Sequence, residues 1–507
     1  MQTKLFSFPG GVKPEGHKQI SNLTPIRSIP LPKQLVLPLR TSARAITNSL
    51  VAVGQKVLKG QVIASADSQF ATPLHAPTSG TVIAIEDRPL PHPSMLSAVS
   101  IVIEPDGEER WAEIKPFNLQ AHDTQTVLAY LRNCGIVGLG GATFPSHMKM
   151  YSIKDGDNTT TTINTLIING SECEPWITCD DLLMREHARE ILTGARLVAQ
   201  VISAKTILVG IEDNKPQALQ AMQAAKEELE ELESQLEIIP IPSLYPAGGE
   251  KQLIKTLTGI EIPHGKLGPH FGVQCFNVGT VYAVYRAITF GEPLLSRVVT
   301  ITGNVEKPGN YEVLIGTSIE HLLSQASPRN GSKRLLIGGP MMGIELRDQN
   351  LPLLKGINCL LVADQKILPP SPAPMPCIRC GACAQACPVI LLPFEMYWYS
   401  HAKIYGKAQE YNIFDCIECG CCSYVCPSHI PLVDYFRHTK SEIWAREQEK
   451  AASNVARQRY EFRLEREERN KREKEARLAA KAVETKAKLA SGDKQKIINA
   501  ALERNLE

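Results

Sequence analysis

The spacing of apolar positions changes several times along the chain, and each change marks a different kind of structure. Residues 1–25 are rich in Gly, Pro and polar side chains, show no period, and predict an extended N-terminal arm. From about Ile26, runs such as VAVGQKVLKGQVIASAD and HAPTSGTVIAIED alternate apolar and polar positions between Gly-marked turns. Half-buried short strands have that period, so residues 26–110 read as a small β module. Across 120–292 solid apolar runs (TLIIN, TILVGI, LEIIPIP) alternate with helical stretches such as Lys215 to Gln235, which is the signature of an α/β domain. Residues 298–350 hold VVTITGNVEKPGNYEVLIG, a helix-like SIEHLLSQA and RLLIGGPMMG, and predict a compact β-grasp module. PPSPAPMP at 369–376 is a Pro-rich linker and a natural boundary. A cysteine-dense region follows at 377–438, then a charge-dense stretch at 439–507 with almost no Gly or Pro. There Glu465–Arg469, Glu467–Lys471, Glu468–Arg472 and Glu473–Arg477 place an acid four residues before a base, as in exposed helices. Too few apolar residues are present for a stripe, so this tail reads as a solvated helix or a disordered segment. Contact with anionic lipid is its functional alternative.

Composition narrows the function more than the fold. A chain of 507 residues is expected to divide into roughly three to five domains. Its net charge of +2 predicts no nucleic-acid partner. No apolar run approaches the ~20 residues of a membrane-spanning helix, and MQTKLFSFPGGVKPEG lacks the apolar stretch of a signal peptide. The expectation is a soluble chain, or one held at a membrane by its surface. The spacing of residues 26–110 resembles the barrel-sandwich fold of lipoyl and biotinyl carrier domains. Those carriers present a modifiable Lys at a hairpin tip, whereas His75–Gly80 offers Ala, Pro, Thr and Ser. A structural docking module is expected in place of a swinging arm.

Fourteen cysteines without a secretion signal argue against a disulfide framework. Eight of them form an internal repeat. Cys377, Cys380, Cys383 and Cys387, followed by Pro388, recur as Cys416, Cys419, Cys422 and Cys426, followed by Pro427. Both copies read C-x2-C-x2-C-x3-C-P. Three thiolates at three-residue steps wrap one face of an iron–sulfur cube, while the fourth points away and serves the other cube. The expected assignment is Cys377, Cys380, Cys383 and Cys426 for one [4Fe–4S] cluster, and Cys416, Cys419, Cys422 and Cys387 for its neighbour. Structural zinc is the competing reading, but zinc sites pair two C-x2-C knuckles across a longer gap. Cys421 is out of step and reads as a non-ligand; Cys134, Cys173, Cys179, Cys275 and Cys359 read as buried thiols.

A [4Fe–4S] cluster moves single electrons, so a chain that also handles hydride needs a flavin as converter. Gly138, Gly140 and Gly141, with Phe144 and Lys149 close behind, form a loop in which backbone N–H groups can approach a phosphate or a flat ring. Asn169 ends the strand TLIIN, and Glu172 and Glu174 follow it; the carboxylates either bond a ring or cap the next helix. A Gly-rich turn is often only a turn, so both readings stand on these residues alone.

The motifs taken together resemble a known family. GLGGATFPSHMK is similar to the flavin loop G-R-G-G-x-G-F-P-x-x-x-K of the 51 kDa-type subunit of respiratory NADH dehydrogenase. NGSECEP resembles its N-A-D-E-G-E-P, SLYPAGGEKQLI its Y-I-C-G-E-E-T-A-L, and Asn277-Val278-Gly279-Thr280 its N-V-E-T. With the barrel-sandwich module before it and the β-grasp and cysteine regions after, the chain resembles the RnfC component of the Rnf/Rsx family of ion-translocating electron-transport complexes, over about residues 5–445. The implied fold is multidomain α/β and α+β: a barrel-sandwich β module, an α/β flavoprotein core, a β-grasp module, a two-[4Fe–4S] ferredoxin-like region and a charged helical tail. The resemblance implies FMN held by Gly138, Gly140, Gly141, Lys149, Asn169, Glu172, Glu174, Asn277 and Thr280, with Phe144 near a nicotinamide pocket. It implies NAD(H), ferredoxin and other components of the complex as partners, and a peripheral place on the cytoplasmic side of a bacterial inner membrane. Leu139, Ser171 and Gly249 depart from the family's Arg, Asp and Glu, which removes polar groups near the nicotinamide and flavin edge. Two rivals follow: the flavin subunit of a soluble NAD-linked hydrogenase or formate dehydrogenase, and a non-catalytic cluster-bearing electron wire.

Overall fold

The computed structural model describes residues 4–40, 46–92, 94–151, 161–229, 235–332, 334–370, 372–490 and 494–504. Met1–Phe436 and Arg437–Glu507 are two compact units. None of the described helices is long and apolar enough to cross a membrane.

In the first unit, two small sheets build the N-terminal module. One orders its strands Leu35–Pro38, Ser97–Pro105, Gly80–Pro89, Lys56–Val57; the other Thr47–Ser49, Val62–Ala66, Leu74–His75. The alternation seen in sequence sends Val57, Ile63, Val82, Ile101 and Ile103 into the core between them. Gly80 sits where a Cβ would lie 2.2 Å from the Glu104 carbonyl oxygen, so only glycine fits that crossing. His75–Gly80, the segment that a carrier domain would expose, is buried throughout. That leaves no place for a swinging arm.

The α/β core is a four-stranded parallel sheet ordered Leu236–Ile241, Thr206–Glu212, Thr165–Gly170, Val273–Asn277. Its strands are continuous apolar runs because helices cover both faces. Helix Ala188–Ile202 buries Ile191, Leu192, Ala195, Val198 and Ile202. Each large aliphatic side chain among them contributes about 1.5–3 kcal/mol on burial. Helix Val278–Phe290 runs so close that a Cβ on Gly194 would lie 2.1 Å from the Val281 carbonyl oxygen.

A six-stranded sheet makes the β-grasp module, ordered Arg27–Ser28, Gly309–Leu314, Ser296–Gly303, Cys359–Ala363, Arg334–Ile337, Ile344–Leu346. Two of its strands lie outside 298–350: the stretch just after the N-terminal arm supplies one edge, and the apolar run at Cys359–Ala363 inserts at the centre. Both are non-local pairings, which local periodicity does not disclose.

Helix Leu432–Ala490 begins in the first unit and makes up most of the second; a shorter helix, Lys494–Glu503, follows. The tail is therefore helical over its described residues. Of the acid–base pairs expected there, Glu468–Arg472 forms at 3.5 Å, while Glu467 instead accepts from Arg463 at 2.8 Å. Exposed pairs of this kind add only tenths of a kcal/mol each, roughly.

Candidate functional site

The two cysteine repeats fold alike. Arg379 and Glu418, at equivalent places, both have φ of 57°, and Gly381 and Gly420 are both left-handed at 79° and 82°. Short helices Ala382–Gln385 and Cys421–Tyr424 follow at the same offset. These bends point backbone amides at sulfur: the Glu418 N–H donates to Cys416 Sγ at 3.4 Å, and the Leu391 N–H to Cys387 Sγ at 3.3 Å.

Two separate cavities open between the repeats. Cys377, Cys380, Cys383 and Cys426 line one, with Phe394 and Tyr397 of helix Pro393–His401. Cys387, Cys416, Cys419 and Cys422 line the other, with Met396 of the same helix. Each cavity thus takes three thiols from one repeat and the fourth from the opposite one. Cys421 also touches the second cavity; it is fully buried in a cluster with Val12, Tyr245 and Ala386. Cys380 is exposed, so the first cavity lies nearer the surface than the second, whose cysteines are mostly buried. Eight thiols in two tetrads with flanking amides suit two thiolate-bound clusters. Cys134, Cys179, Cys275 and Cys359 are buried free thiols, and Cys173 is half-buried.

The glycine loop crosses the C-terminal ends of the parallel strands, the usual ligand position in open α/β sheets. Asn169 and Asn277 are direct partners on adjacent strands there. The Gly138 N–H closes the loop on the Phe144 carbonyl at 2.8 Å, and the Leu139 N–H donates to Thr280 Oγ1 at 2.9 Å. Gly140 sits against Asn277, and a Cβ on Gly141 (φ 113°) would meet open space. Lys149 Nζ donates to the Cys275 carbonyl at 2.6 Å and to Glu250 at 2.8 Å. Phe144 remains 41% exposed beside the loop. An open glycine loop with Lys149 nearby and two amide side chains at the strand ends fits an FMN.

The two acids both bond backbone amides. Glu172 caps helix Cys179–Glu186, accepting from the Asp180 N–H at 2.6 Å and the Asp181 N–H at 3.3 Å. Burial pushes its carboxyl up to about 7, against the pull of Lys18. Glu174 accepts from the Met341 and Met342 N–H groups at 2.8 and 3.2 Å, pinning the β-grasp loop. A Cβ on Gly339 would lie 2.4 Å from that side chain, so the close contact requires glycine. Helix capping, one of the two readings open for these acids, is the role Glu172 takes here. Of the departing residues, Leu139 is buried in the core, Ser171 is buried with its hydroxyl unpartnered, and Gly249 opens helix Glu250–Thr258.

Several residues outside the sequence motifs complete the site. Arg297 of the β-grasp sheet is buried and donates to the Leu139 carbonyl at 3.2 Å. It lines a cavity of about 540 Å³ together with Leu139, Asp180, Gly279 and Tyr282. Asn277 Nδ2 donates to Asp180 at 2.6 Å, and the Tyr245 hydroxyl donates to the Cys419 carbonyl at 2.6 Å. Asp180, the first acid of the CDD run, carries a weak signal as a helix-opening acid; Arg297 and Tyr245 sit in ordinary sequence surroundings that carry none.

Comparison with known proteins agrees with this geometry region by region. Residues 6–108 match the RnfC barrel sandwich hybrid domain, 131–286 the Nuo51 FMN-binding domain, 298–345 the SLBB domain, and 372–427 the 4Fe-4S dicluster domain. The RnfC relative from Salmonella gallinarum, named for its place in an ion-translocating oxidoreductase complex, is 42% identical over 488 residues, which cover 96% of this chain and 71% of that one. The chain belongs to the RnfC family. The Vibrio cholerae member is 44% identical over 99% of this chain, and the Pseudomonas aeruginosa member 44% over 81%. The chain spans 64% and 52% of their respective lengths. Among solved structures, the NAD+-reducing [NiFe]-hydrogenase in the air-oxidized state aligns with a TM-score of 0.43 and 22% identity, over 58% of this chain and 55% of that one. FMN and iron–sulfur clusters are the cofactors of this chain, through the two matched cofactor domains.

Proposed function

We propose that this member of the RnfC family is a peripheral electron-transfer subunit of an ion-translocating oxidoreductase on the cytoplasmic face of a bacterial inner membrane. The observation that carries the reading is the pair of cysteine-lined cavities in one unit with a flavin-type loop. In this reading Cys377, Cys380, Cys383 and Cys426 hold one [4Fe–4S] cluster, and Cys416, Cys419, Cys422 and Cys387 the other. Bound FMN supplies the exchange between hydride chemistry and single electrons. Gly138, Gly140 and Gly141 offer their backbone to it, Lys149 a positive charge, and Asn169, Asn277 and Thr280 polar atoms at the sheet's end. Phe144 is available to cover a nicotinamide. Glu172 and Glu174 hold the shape of the adjoining loop through backbone amides. The second cluster lies next to Tyr245 and the flavin domain, and the first presents Cys380 outward. The tetrad of Cys416, Cys419, Cys422 and Cys387 would hold its cluster on the flavin-domain side and the tetrad of Cys377, Cys380, Cys383 and Cys426 on the surface side, an order suited to single-electron transfer; in this reading NAD(H) and ferredoxin are the soluble partners and integral membrane subunits the others.

A second reading is favoured by Leu139, Ser171 and Gly249: the clusters relay electrons while the flavin domain does not turn over NADH. Iron, sulfide and flavin assays on anaerobically prepared protein come first, with about eight irons, eight sulfides and one FMN expected. Anaerobic titration with NADH then separates the readings. Bleaching of the flavin followed by cluster reduction supports NAD(H) turnover, and an unbleached flavin that dithionite still reduces supports the relay alone. Four irons, or zinc in place of iron, overturns both.

A further inference from the structure

The N-terminal arm, which reads in sequence as an appendage, runs between the flavin motif and the second cluster. Lys18 is buried, and its Nζ donates to three carbonyls of the acidic motif: Glu172 at 2.7 Å, Glu174 at 3.0 Å and Ile177 at 2.7 Å. Three donated bonds use all three N–H groups of an ammonium, so this geometry requires the charged form. A second buried ammonium, Lys215, takes the next carbonyl, that of Ser171, at 2.6 Å and pairs with Glu212 at 2.7 Å. The carbonyls of residues 171, 172, 174 and 177 are thereby all turned toward cations. Nearby, His17 stacks on Trp176 with ring centroids 4.3 Å apart, and the Trp176 N–H donates to the Gly16 carbonyl at 2.7 Å.

The other end of the arm meets the cluster region. The Gly11 N–H donates to the Ala386 carbonyl at 3.0 Å, and Val12 exchanges backbone bonds with Tyr245 at 2.8 and 3.0 Å. Gly10 (φ 65°) leaves no room for a side chain: a Cβ would lie 2.6 Å from the Cys387 carbonyl oxygen and 2.7 Å from that of Ala386. Both glycines are left-handed, so this approach is available to no other residue without strain.

We propose that the arm is a tether that positions the flavin motif against the loop of the cross-ligating cysteine, with Lys18 the positioning residue at the flavin end and Gly10 at the cluster end. It deepens the flavin and cluster assignment above and rests on that reading. Lys18 acts through the loop it clamps: the carbonyls it binds orient Glu172 and Glu174, and its charge would favour electrons added to a flavin held against that motif. Arginine does not replace it, because a planar fork does not direct three N–H groups onto three converging carbonyls.

The test uses the full chain with its clusters. Lys18→Met is expected to weaken FMN binding about tenfold, as for loss of a buried charge-assisted contact, and to lower the flavin midpoint potential in a spectroelectrochemical titration. The EPR signals of both reduced clusters should stay unchanged, and Lys18→Arg should restore neither flavin property. Gly10→Ala should do the reverse, shifting only the cluster signal that Cys387→Ser shifts. If Lys18→Met does not fold, Lys18→Gln carries the same comparison with one charge removed and two donors kept. Unchanged FMN affinity and potential, with lost thermal stability alone, would overturn the proposal. A wild-type chain that binds no FMN overturns the flavin reading instead, and the Gly10→Ala signal still decides the cluster end of the tether.

Discussion

Single residues in this protein are specialised mainly by what lies across from them in space. Cys387 follows the first repeat's triad in sequence, yet it lines the cavity of Cys416, Cys419 and Cys422. Under crossed ligation, Cys387→Ser should shift the EPR signal that Cys419→Ala abolishes and spare the one that Cys380→Ala abolishes. Serine still offers an oxygen, so a shifted potential or a labile iron is expected in place of complete loss. If the change falls on the Cys380 signal, ligation is local. His75 gives a pH test of burial. Its imidazole is enclosed with Lys355 nearby, and burial, then that charge, pulls its pKa down to about 3. An ordinary histidine titrates near ~6.5, so on acidification the unfolded chain takes up this proton first. The neutral ring's contribution is complete above pH ~6.5 and is lost progressively as pH falls toward ~3. Urea unfolding of wild type and His75→Gln across that window should show wild type losing stability with acid relative to the variant. A constant difference would mean that His75 is not held neutral.

Among elements, the closest contacts are made by glycines between pairs of helices or strands. Gly194 allows helices Ala188–Ile202 and Val278–Phe290 to touch, and the second of these carries Thr280 at its first turn. Gly194→Ala should cost about 1–3 kcal/mol by overpacking, read as a lowered denaturation midpoint with an unchanged m-value. Because the helix shift moves Thr280, the variant should also hold FMN less tightly. A stability change within ~0.5 kcal/mol would show that the helices separate freely. The repeat behaves as an element too. Its two copies share left-handed bends and short helices at one offset, which is why a pattern of single letters could anticipate the local fold of both.

At the scale of the whole molecule, the proposed function raises the question of how the chain would attach to membrane partners. None of the described helices can span a bilayer, so in the proposed function contact with membrane partners is made by surfaces. High salt or mild chaotrope should release the chain from washed membranes, since exposed charge contacts are screened within ~10 Å at ~0.1 M salt. Release by detergent alone would point to an anchor outside the described residues.

Sequence by itself determined the parts of this protein whose chemistry is local. Eight cysteines at strict steps group into two cavities of four, and alternating or continuous apolar runs prescribe which strands are half-buried and which are covered on both faces. The glycine loop, Asn169, Asn277 and Thr280 were legible for the same reason, since each lies at the end of a readable strand or the start of a readable helix. Tertiary structure decided the rest. Only the folded chain turns Glu174 onto the Met341 and Met342 amides, inserts Cys359–Ala363 at the centre of the β-grasp sheet, and places Lys18 under a motif 154 residues away. Those choices satisfy buried carbonyls, amides and charges that no local pattern accounts for. A lone lysine in a Gly- and Pro-rich arm gives no sign of them, because the cost of burying its charge is offset only by groups that the fold brings from elsewhere.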